Sequence, residues 1–330
     1  MCNTDRTGGP CYIIFLHMNL VFLDTRTVGN EPNFAQFEQL GTFITYPETA
    51  PDQTITRLRG AEVVITNKVQ ITRDVLEACP DLKLICVAAT GTNNVDLVAA
   101  AERGIPVKNV SGYSTQSVAQ VTFTLLLSLM NSPHYYDQYV KSGAYSRETI
   151  FTHLGRPFRE LSGMQFGIIG LGAIGRQVAQ IATAFGASVV YFSASQRTYD
   201  VPYRAVSLDE LLGTSDVVSV HAPLTEKTNN LLTYSELTQM KATTFLLLLS
   251  RGGMVNEADL ARALDEGKLA GAGIDVFGQE PPAANHPYLT MTHPERIMLA
   301  PHIAWSSIEA RQTLINRAAD TIRAFIETNR

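Results

Sequence analysis

Short apolar runs alternate with helix-period segments along most of the chain. Met18–Leu23, Val63–Thr66, Leu84–Val87 and Val107–Asn109 predict strands, and Phe34–Leu40, Arg73–Ala78 and Leu97–Arg103 between them carry helical spacing. A long apolar helix is expected over Ser117 to about Met130, too rich in Ser and Thr for a membrane span. A second series follows, with strands at Gln165–Ile169, Ser188–Phe192, Val217–His221, Thr244–Leu249, Ala272–Asp275 and Ile297–Leu299. Its helices fall at Ile174–Phe185, Leu208–Leu212 and Glu257–Glu266, and an amphipathic helix, roughly Ser307–Thr328, ends the pattern. Strands and helices in strict alternation predict βα units and parallel sheets, so the fold class is α/β. Pro133–Pro157 is polar and aromatic and shows neither period.

Composition narrows the function classes. A chain of 330 residues has room for about two domains of ~150 residues. At 45% hydrophobic and 17% charged it can bury a sizeable core. A net charge of −5 lacks the basic footprint of a nucleic-acid binder. Apolar runs such as Phe245–Leu249 are the size of a core strand, so no membrane span is expected. Cys2, Cys11, Cys79 and Cys86 form no Cys-x-x-Cys pair and have no histidine at metal spacing. Free thiols, no metal and a cytoplasmic location are the expectation. Residues 1–17 are polar and Gly-rich, then briefly apolar. They are expected to be a disordered or non-native extension, with Met18 as the natural start; the alternative is that Tyr12–Leu16 lengthens the first strand.

The strand Gln165–Ile169 runs into Gly170-Leu171-Gly172-Ala173-Ile174-Gly175, a Gly-x-Gly-x-x-Gly turn that opens a helix. Gly170 permits the tight turn, Gly172 lets the backbone approach a diphosphate, and Gly175 lets helix and strand pack closely. The helix N-terminus, Ala173 and Ile174 included, then offers N–H groups to phosphate. The motif in this context predicts a dinucleotide. The next strand should end in an acid that holds the adenosine ribose, but Ser193 stands there and no carboxylate appears before Asp200. Arg197 is placed to pair with a 2′-phosphate, so NAD and NADP are both open as cofactors.

Three further segments carry a family resemblance. They are Ser250-Arg251-Gly252-Gly253-Met254-Val255-Asn256-Glu257, Gly273-Ile274-Asp275-Val276-Phe277-Gly278-Gln279-Glu280-Pro281, and Ala300-Pro301-His302-Ile303-Ala304-Trp305-Ser306-Ser307. Together with the glycine turn and His221-Ala222-Pro223, they resemble the D-isomer-specific 2-hydroxyacid dehydrogenases from Met18 onward. The resemblance implies two Rossmann-like parallel-sheet domains with a cleft between them. The coenzyme domain, 109–302, would be inserted into a substrate domain of 1–108 and 303–330. It also implies a homodimer, partly through the helix Ser117–Met130.

By the same resemblance, Arg251 binds and polarises the carboxylate and carbonyl of a 2-oxo acid, work suited to its planar fork. His302 is the general acid, and Glu280 orients its ring and favours the imidazolium. Asp275 contacts the nicotinamide carboxamide. His221, Pro223 and Leu249 line the cofactor, with His221 as well explained by packing. Ala88–Asp96 resembles the loop whose backbone N–H groups, at Thr90 and Gly91, hold the substrate carboxylate. One departure is visible: Leu247-Leu248-Leu249 stands before Ser250-Arg251 where the family commonly has Asn-Thr or Asn-Val, which removes side-chain polar contacts to the cofactor.

The substrate loops look most like the glycerate dehydrogenase (hydroxypyruvate reductase) branch, with Trp305 either a pocket wall or core packing. Hydroxypyruvate to D-glycerate is the expected reaction; D-lactate, glyoxylate or bulkier substrates are the alternatives. A reading of another class is a dinucleotide-sensing module like the C-terminal-binding protein corepressors, which share the fold.

Overall fold

A strand that reads as an unbroken apolar run must be covered on both faces, because successive side chains point to opposite sides of the sheet. The computed structural model, which describes residues 18–197 and 199–329, meets that demand twice. The expected extension, with Cys2, Cys11 and His17, lies outside the described residues. The chain divides into two compact units: residues up to Ser114 together with those from Ser306 onward, and Thr115–Trp305. The sequence reading sets these divisions at 108/109 and 302/303.

The first unit holds a five-stranded parallel sheet built from β1 (Met18–Phe22), β2 (Gly41–Thr45), β3 (Val63–Thr66), β4 (Leu84–Val87) and β5 (Val107–Asn109), in the order β2-β1-β3-β4-β5. Strands β3 and β4 are buried at every position. The edge strand β2 pairs with β1 from Met18↔Gly41 to Phe22↔Thr45. The helix Ile308–Thr328, capped by Ser307, completes this unit and buries Leu314, Ile315, Ala318, Ala319 and Ile322.

The second unit holds seven parallel strands: β6 (Gln165–Ile169), β7 (Ser188–Phe192), β8 (Arg204–Ala205), β9 (Val217–Val220), β10 (Phe245–Leu248), β11 (Gly271–Ile274) and β12 (Ile297–Leu299). Their order is β12-β11-β10-β9-β6-β7-β8. The leucine run shows why such a strand is apolar throughout. Leu246 and Leu248 enter the core on one face of the sheet, and Leu247 and Leu249 enter the core on the other. The long helix Thr115–Asn131 lies on the second face with Val118, Phe123, Leu125 and Leu126 buried. The helix Ala173–Ala184 packs beside it through Val178, Ala179 and Ala182. The 133–157 stretch, aperiodic in sequence, forms the helix Pro133–Lys141 and a short turn at Tyr145–Arg147.

In the first unit a buried carboxylate locks two neighbouring strand ends. Asp24, 3% exposed, follows β1. It accepts hydrogen bonds from the backbone N–H groups of Asn67 (2.9 Å), Lys68 (2.6 Å) and Val69 (3.2 Å), which follow β3. Burial raises its pKa, and the three backbone donors pull against that rise. Asp24→Ala leaves these donors unpaired and is expected to lower unfolding stability by about 2–4 kcal/mol in urea titrations. Asp24→Asn, which keeps one acceptor oxygen, should lose less.

Candidate active site

The strand order of the second unit reverses at β6. Chain connectivity runs β6-β7-β8 outward on one side and β9-β10-β11-β12 on the other. In open α/β sheets that reversal opens a crevice at the carboxyl ends of the two central strands. Here those ends are Gly170, after β6, and His221-Ala222, after β9. Gly170 has φ +94°, and a Cβ on it would meet the backbone of Ala222 at 2.5–2.6 Å. Only glycine fits that turn. A Cβ on Gly175 would meet the Gly170 carbonyl oxygen at 2.3 Å, so the helix can lie against the strand end.

Gly172 differs from both. A Cβ there would meet nothing within 4 Å, which leaves open space above the backbone. Gly172 is also the N-cap of the helix Ala173–Ala184, and no side chain caps that end. An anion is the natural partner for such a helix start. Beside it, His221 Nε2 lies 2.7 Å from Ser219 Oγ, while its Nδ1 is buried with no hydrogen-bond partner. Burial lowers the His221 pKa to about 4, so the ring is neutral. An open cradle, an uncapped helix start and an orphaned ring nitrogen together fit a dinucleotide. At the end of β7, Ser193 Oγ lies 3.2 Å from Ser195 Oγ, and Arg197 is exposed. Leu249 is buried in the core and Pro223 is exposed.

The expected acid and its partner meet. His302 Nδ1 lies 2.7 Å from Glu280 Oε2, and Glu280 Oε1 accepts the Phe277 N–H at 3.0 Å. Their side chains are 26% and 33% exposed, so the pair faces solvent on one side. His302 has φ +55°, in the left-handed region that a non-glycine residue adopts at a cost. The Glu280–Pro281 peptide bond is cis. Arg251 is exposed, with Nη1 donating to the Ser250 carbonyl at 2.7 Å. The next residue, Gly252, is pressed against the Glu280 loop: a Cβ on it would meet Phe277 C and O at 2.0 Å. The residue after Arg251 and the start of the Glu280 loop are therefore packed backbone to backbone.

Asp275 has a role that sequence reasoning missed. Its carboxylate is 1% exposed and accepts the N–H groups of Ile303 (2.9 Å) and Ala304 (3.0 Å). Burial raises its pKa against the pull of these two bonds. Whatever else it touches, Asp275 anchors the segment that carries His302. Trp305 packs, partly buried, against the core beneath the glycine turn. In the first unit, Thr90 is exposed after β4, with Oγ1 donating to Val110 O at 3.2 Å. Among the described residues no cluster of His, Cys, Asp and Glu could hold a metal, and no helix is long and apolar enough to cross a membrane.

Comparison with known proteins agrees with this geometry. The profile for the D-isomer specific 2-hydroxyacid dehydrogenase NAD binding domain matches residues 123–304. The chain is 35% identical over 308 residues to a glycerate dehydrogenase of Methylorubrum extorquens, covering 93% of this chain and 96% of that protein. It is 34% identical over 316 residues to a hydroxypyruvate reductase of Blautia hydrogenotrophica, covering 94% and 97%. Among solved structures, D-lactate dehydrogenase of Aquifex aeolicus, complexed with NAD and lactic acid, superposes with a TM-score of 0.78 at 26% identity, covering 94% and 96% of the two chains. The chain thus belongs to the D-isomer specific 2-hydroxyacid dehydrogenase family and is an oxidoreductase that uses NAD or NADP.

Proposed function

We propose that this enzyme reduces hydroxypyruvate to D-glycerate, with His302 as the general acid. The observation that carries the catalytic part is the 2.7 Å contact between Glu280 Oε2 and His302 Nδ1. With Nδ1 engaged, Nε2 is the nitrogen left to give a proton to the substrate oxygen. Glu280 fixes the ring orientation and balances the charge of the imidazolium. Arg251 binds the substrate carboxylate and polarises the carbonyl, aided by the backbone N–H groups of Thr90 and Gly91, and Trp305 walls the substrate. When bound, the reduced nicotinamide supplies the hydride. The balance is 2-oxo acid, NAD(P)H and a proton going to 2-hydroxy acid and NAD(P)+.

The choice of substrate rests on the names of the glycerate dehydrogenase and hydroxypyruvate reductase relatives. For the cofactor, Gly170, Gly172, Ala173, Ile174 and Gly175 hold the diphosphate, Ser193 the ribose, and Arg197 a 2′-phosphate. His221, Pro223, Leu249 and Asp275 line the remainder. The two described cysteines, Cys79 and Cys86, are free and buried, which suits the reducing cytoplasm this reading assigns to the enzyme.

A homodimer forms part of the same reading, and its support is a patch on the second unit. Ile150, Phe151, Leu154 and Phe158 are exposed, Phe151 at 88% and Leu154 at 83%. The segment bearing them is held on the helix Pro133–Lys141 by an aromatic box. Tyr135 Oη lies 2.8 Å from His153 Nε2, Tyr139 stacks on His153 at 3.8 Å, and Tyr136 Oη donates to Arg156 O at 2.6 Å. Large apolar side chains held out in an ordered segment mark an association surface, and a second copy of the chain is the occupant proposed.

Four measurements test these assignments. Hydroxypyruvate should be reduced faster than pyruvate or glyoxylate when loss of reduced-nicotinamide absorbance is followed with NADH and with NADPH. Arg197→Ala should lower kcat/KM for NADPH by about tenfold and leave NADH unchanged, since it removes one charge-assisted contact to phosphate. An unchanged NADPH preference excludes Arg197. Gly172→Val should keep the thermal midpoint of the wild type, because its side chain enters open space, yet weaken NADH binding in fluorescence titration by at least about tenfold. Finally, the double substitution Phe151→Asp with Leu154→Asp should shift the chain from dimer to monomer in sedimentation velocity. A wild-type monomer under the same conditions refutes the dimer.

A further inference from the structure

Behind the Glu280–His302 pair lies a second glutamate–histidine pair that the reaction does not use. Glu257 opens the helix Glu257–Asp265, and its carboxylate bridges two donors. Oε1 accepts the Gly278 N–H at 2.7 Å, and Oε2 lies 3.0 Å from His286 Nε2. His286 is 8% exposed and stands edge-on to Phe277 and Tyr288, with ring centroids 5.6 and 4.8 Å away. Its Nδ1 accepts the Tyr288 N–H at 3.3 Å. A ring nitrogen that accepts carries no proton, so the proton sits on Nε2, which donates to Glu257.

The placement of this pair matters because Glu280 has no helix or strand to hold it. It lies on the loop between β11 and the short turn Pro287–Leu289. One carboxylate, Glu257, ties that loop at Gly278 and again at His286, on either side of Glu280. Arg251 and Gly252 precede Glu257 by a few residues, and Gly252 is packed on Phe277 and Gly278. The same brace therefore links the proposed carboxylate-binding arginine to the carboxylate that orients the acid.

We propose that Glu257 and His286 are positioning residues that set turnover by holding Glu280 against His302. This rests on the catalytic reading of Glu280 and His302 given above. In Glu257→Gln the amide can still accept from Gly278, but it loses the carboxylate that receives the His286 proton. In His286→Gln, Nε2–H2 can still donate to Glu257; in His286→Ala nothing does.

The test is a double-mutant cycle on the purified full-length protein. It follows kcat and KM for hydroxypyruvate (or for glyoxylate or pyruvate if one proves faster), NADH affinity by fluorescence, and thermal midpoint. Glu257→Gln should lower kcat by about tenfold while KM and NADH affinity stay within about twofold, because a small misplacement of an acid–base group acts on the chemical step. His286→Gln should recover most of the turnover lost in His286→Ala. When Glu280 is already Gln, Glu257→Gln should cost less than about twofold, since a residue acting through Glu280 has nothing left to position. Equal losses in both backgrounds, or wild-type kcat in Glu257→Gln, overturn the inference. If Glu257→Gln does not fold, the two His286 variants carry the same comparison in the Glu280→Gln background. A Glu280→Gln enzyme as active as wild type refutes the catalytic reading itself, and this inference with it.

Discussion

At the end of β11 a carboxylate that is 1% exposed accepts two consecutive backbone N–H groups, those of Ile303 and Ala304. Burying a charge in that way is costly unless its lone pairs are met, and Asp275 shows the tension: burial raises its pKa while the two backbone bonds resist the rise. What the protein gains is a fixed backbone immediately after His302. His302 itself has φ +55°, a conformation that costs a non-glycine residue roughly 1–3 kcal/mol and persists only where the surroundings over-determine it. Asp275 supplies one half of that determination. Ser117, near the start of the long helix, supplies the other by donating from Oγ to the Ala304 carbonyl at 2.6 Å. The two ties reach a single short segment from a strand end and from a helix, so the histidine ring is aimed by buried elements of the core.

The glycine turn answers to a similar constraint at the centre of the same sheet. Gly170 must be glycine because Ala222 presses on it from the end of β9, and Gly175 because the Gly170 carbonyl presses on it from β6. Both contacts exist only because β6 and β9 are neighbours, which is where the strand order reverses. The open face of Gly172 is what remains once the two packed glycines are accounted for. Core packing and the phosphate cradle are therefore one geometrical fact: the sheet that buries Ile169 and Val220 also sets the width of the turn above them.

How far this could be read from sequence follows from the range of the interactions. The buried strands were legible because two-sided burial leaves an unbroken apolar run, as in Phe245–Leu249. The edge strand β2 was not. Its exposed positions give Gly-Thr-Phe-Ile-Thr no such run, and its pairing with β1 is decided by tertiary contact, Gly41 fitting directly against Met18. The pairing of Glu280 with His302 was legible through the family's motifs, which carry both residues at a set spacing. The anchoring by Asp275 was not, nor was the bridge from Glu257 to His286. In each case the partners lie far apart in the chain, and the carboxylate also accepts a backbone N–H, that of Ile303 for Asp275 and that of Gly278 for Glu257, which has no sequence signature. The stretch 133–157 was opaque for another reason. Its order comes from aromatic stacking between Tyr139 and His153 and from the Tyr136–Arg156 bonds, none of which follows a helical or strand period.

Two of the glutamate–histidine pairs of the second unit, at 2.7 and 3.0 Å, are set apart by environment, which gives them different physics. In the pair Glu280–His302, the side chains are 33% and 26% exposed, so protons can be exchanged with solvent or a ligand. In the pair Glu257–His286, they are 22% and 8% exposed, and every polar atom of the buried ring is engaged: Nε2 by Glu257 and Nδ1 by the Tyr288 N–H. A ring so engaged has no lone pair or proton to spare for chemistry. It can only transmit position, and the position it transmits is that of the loop on which Glu280 stands.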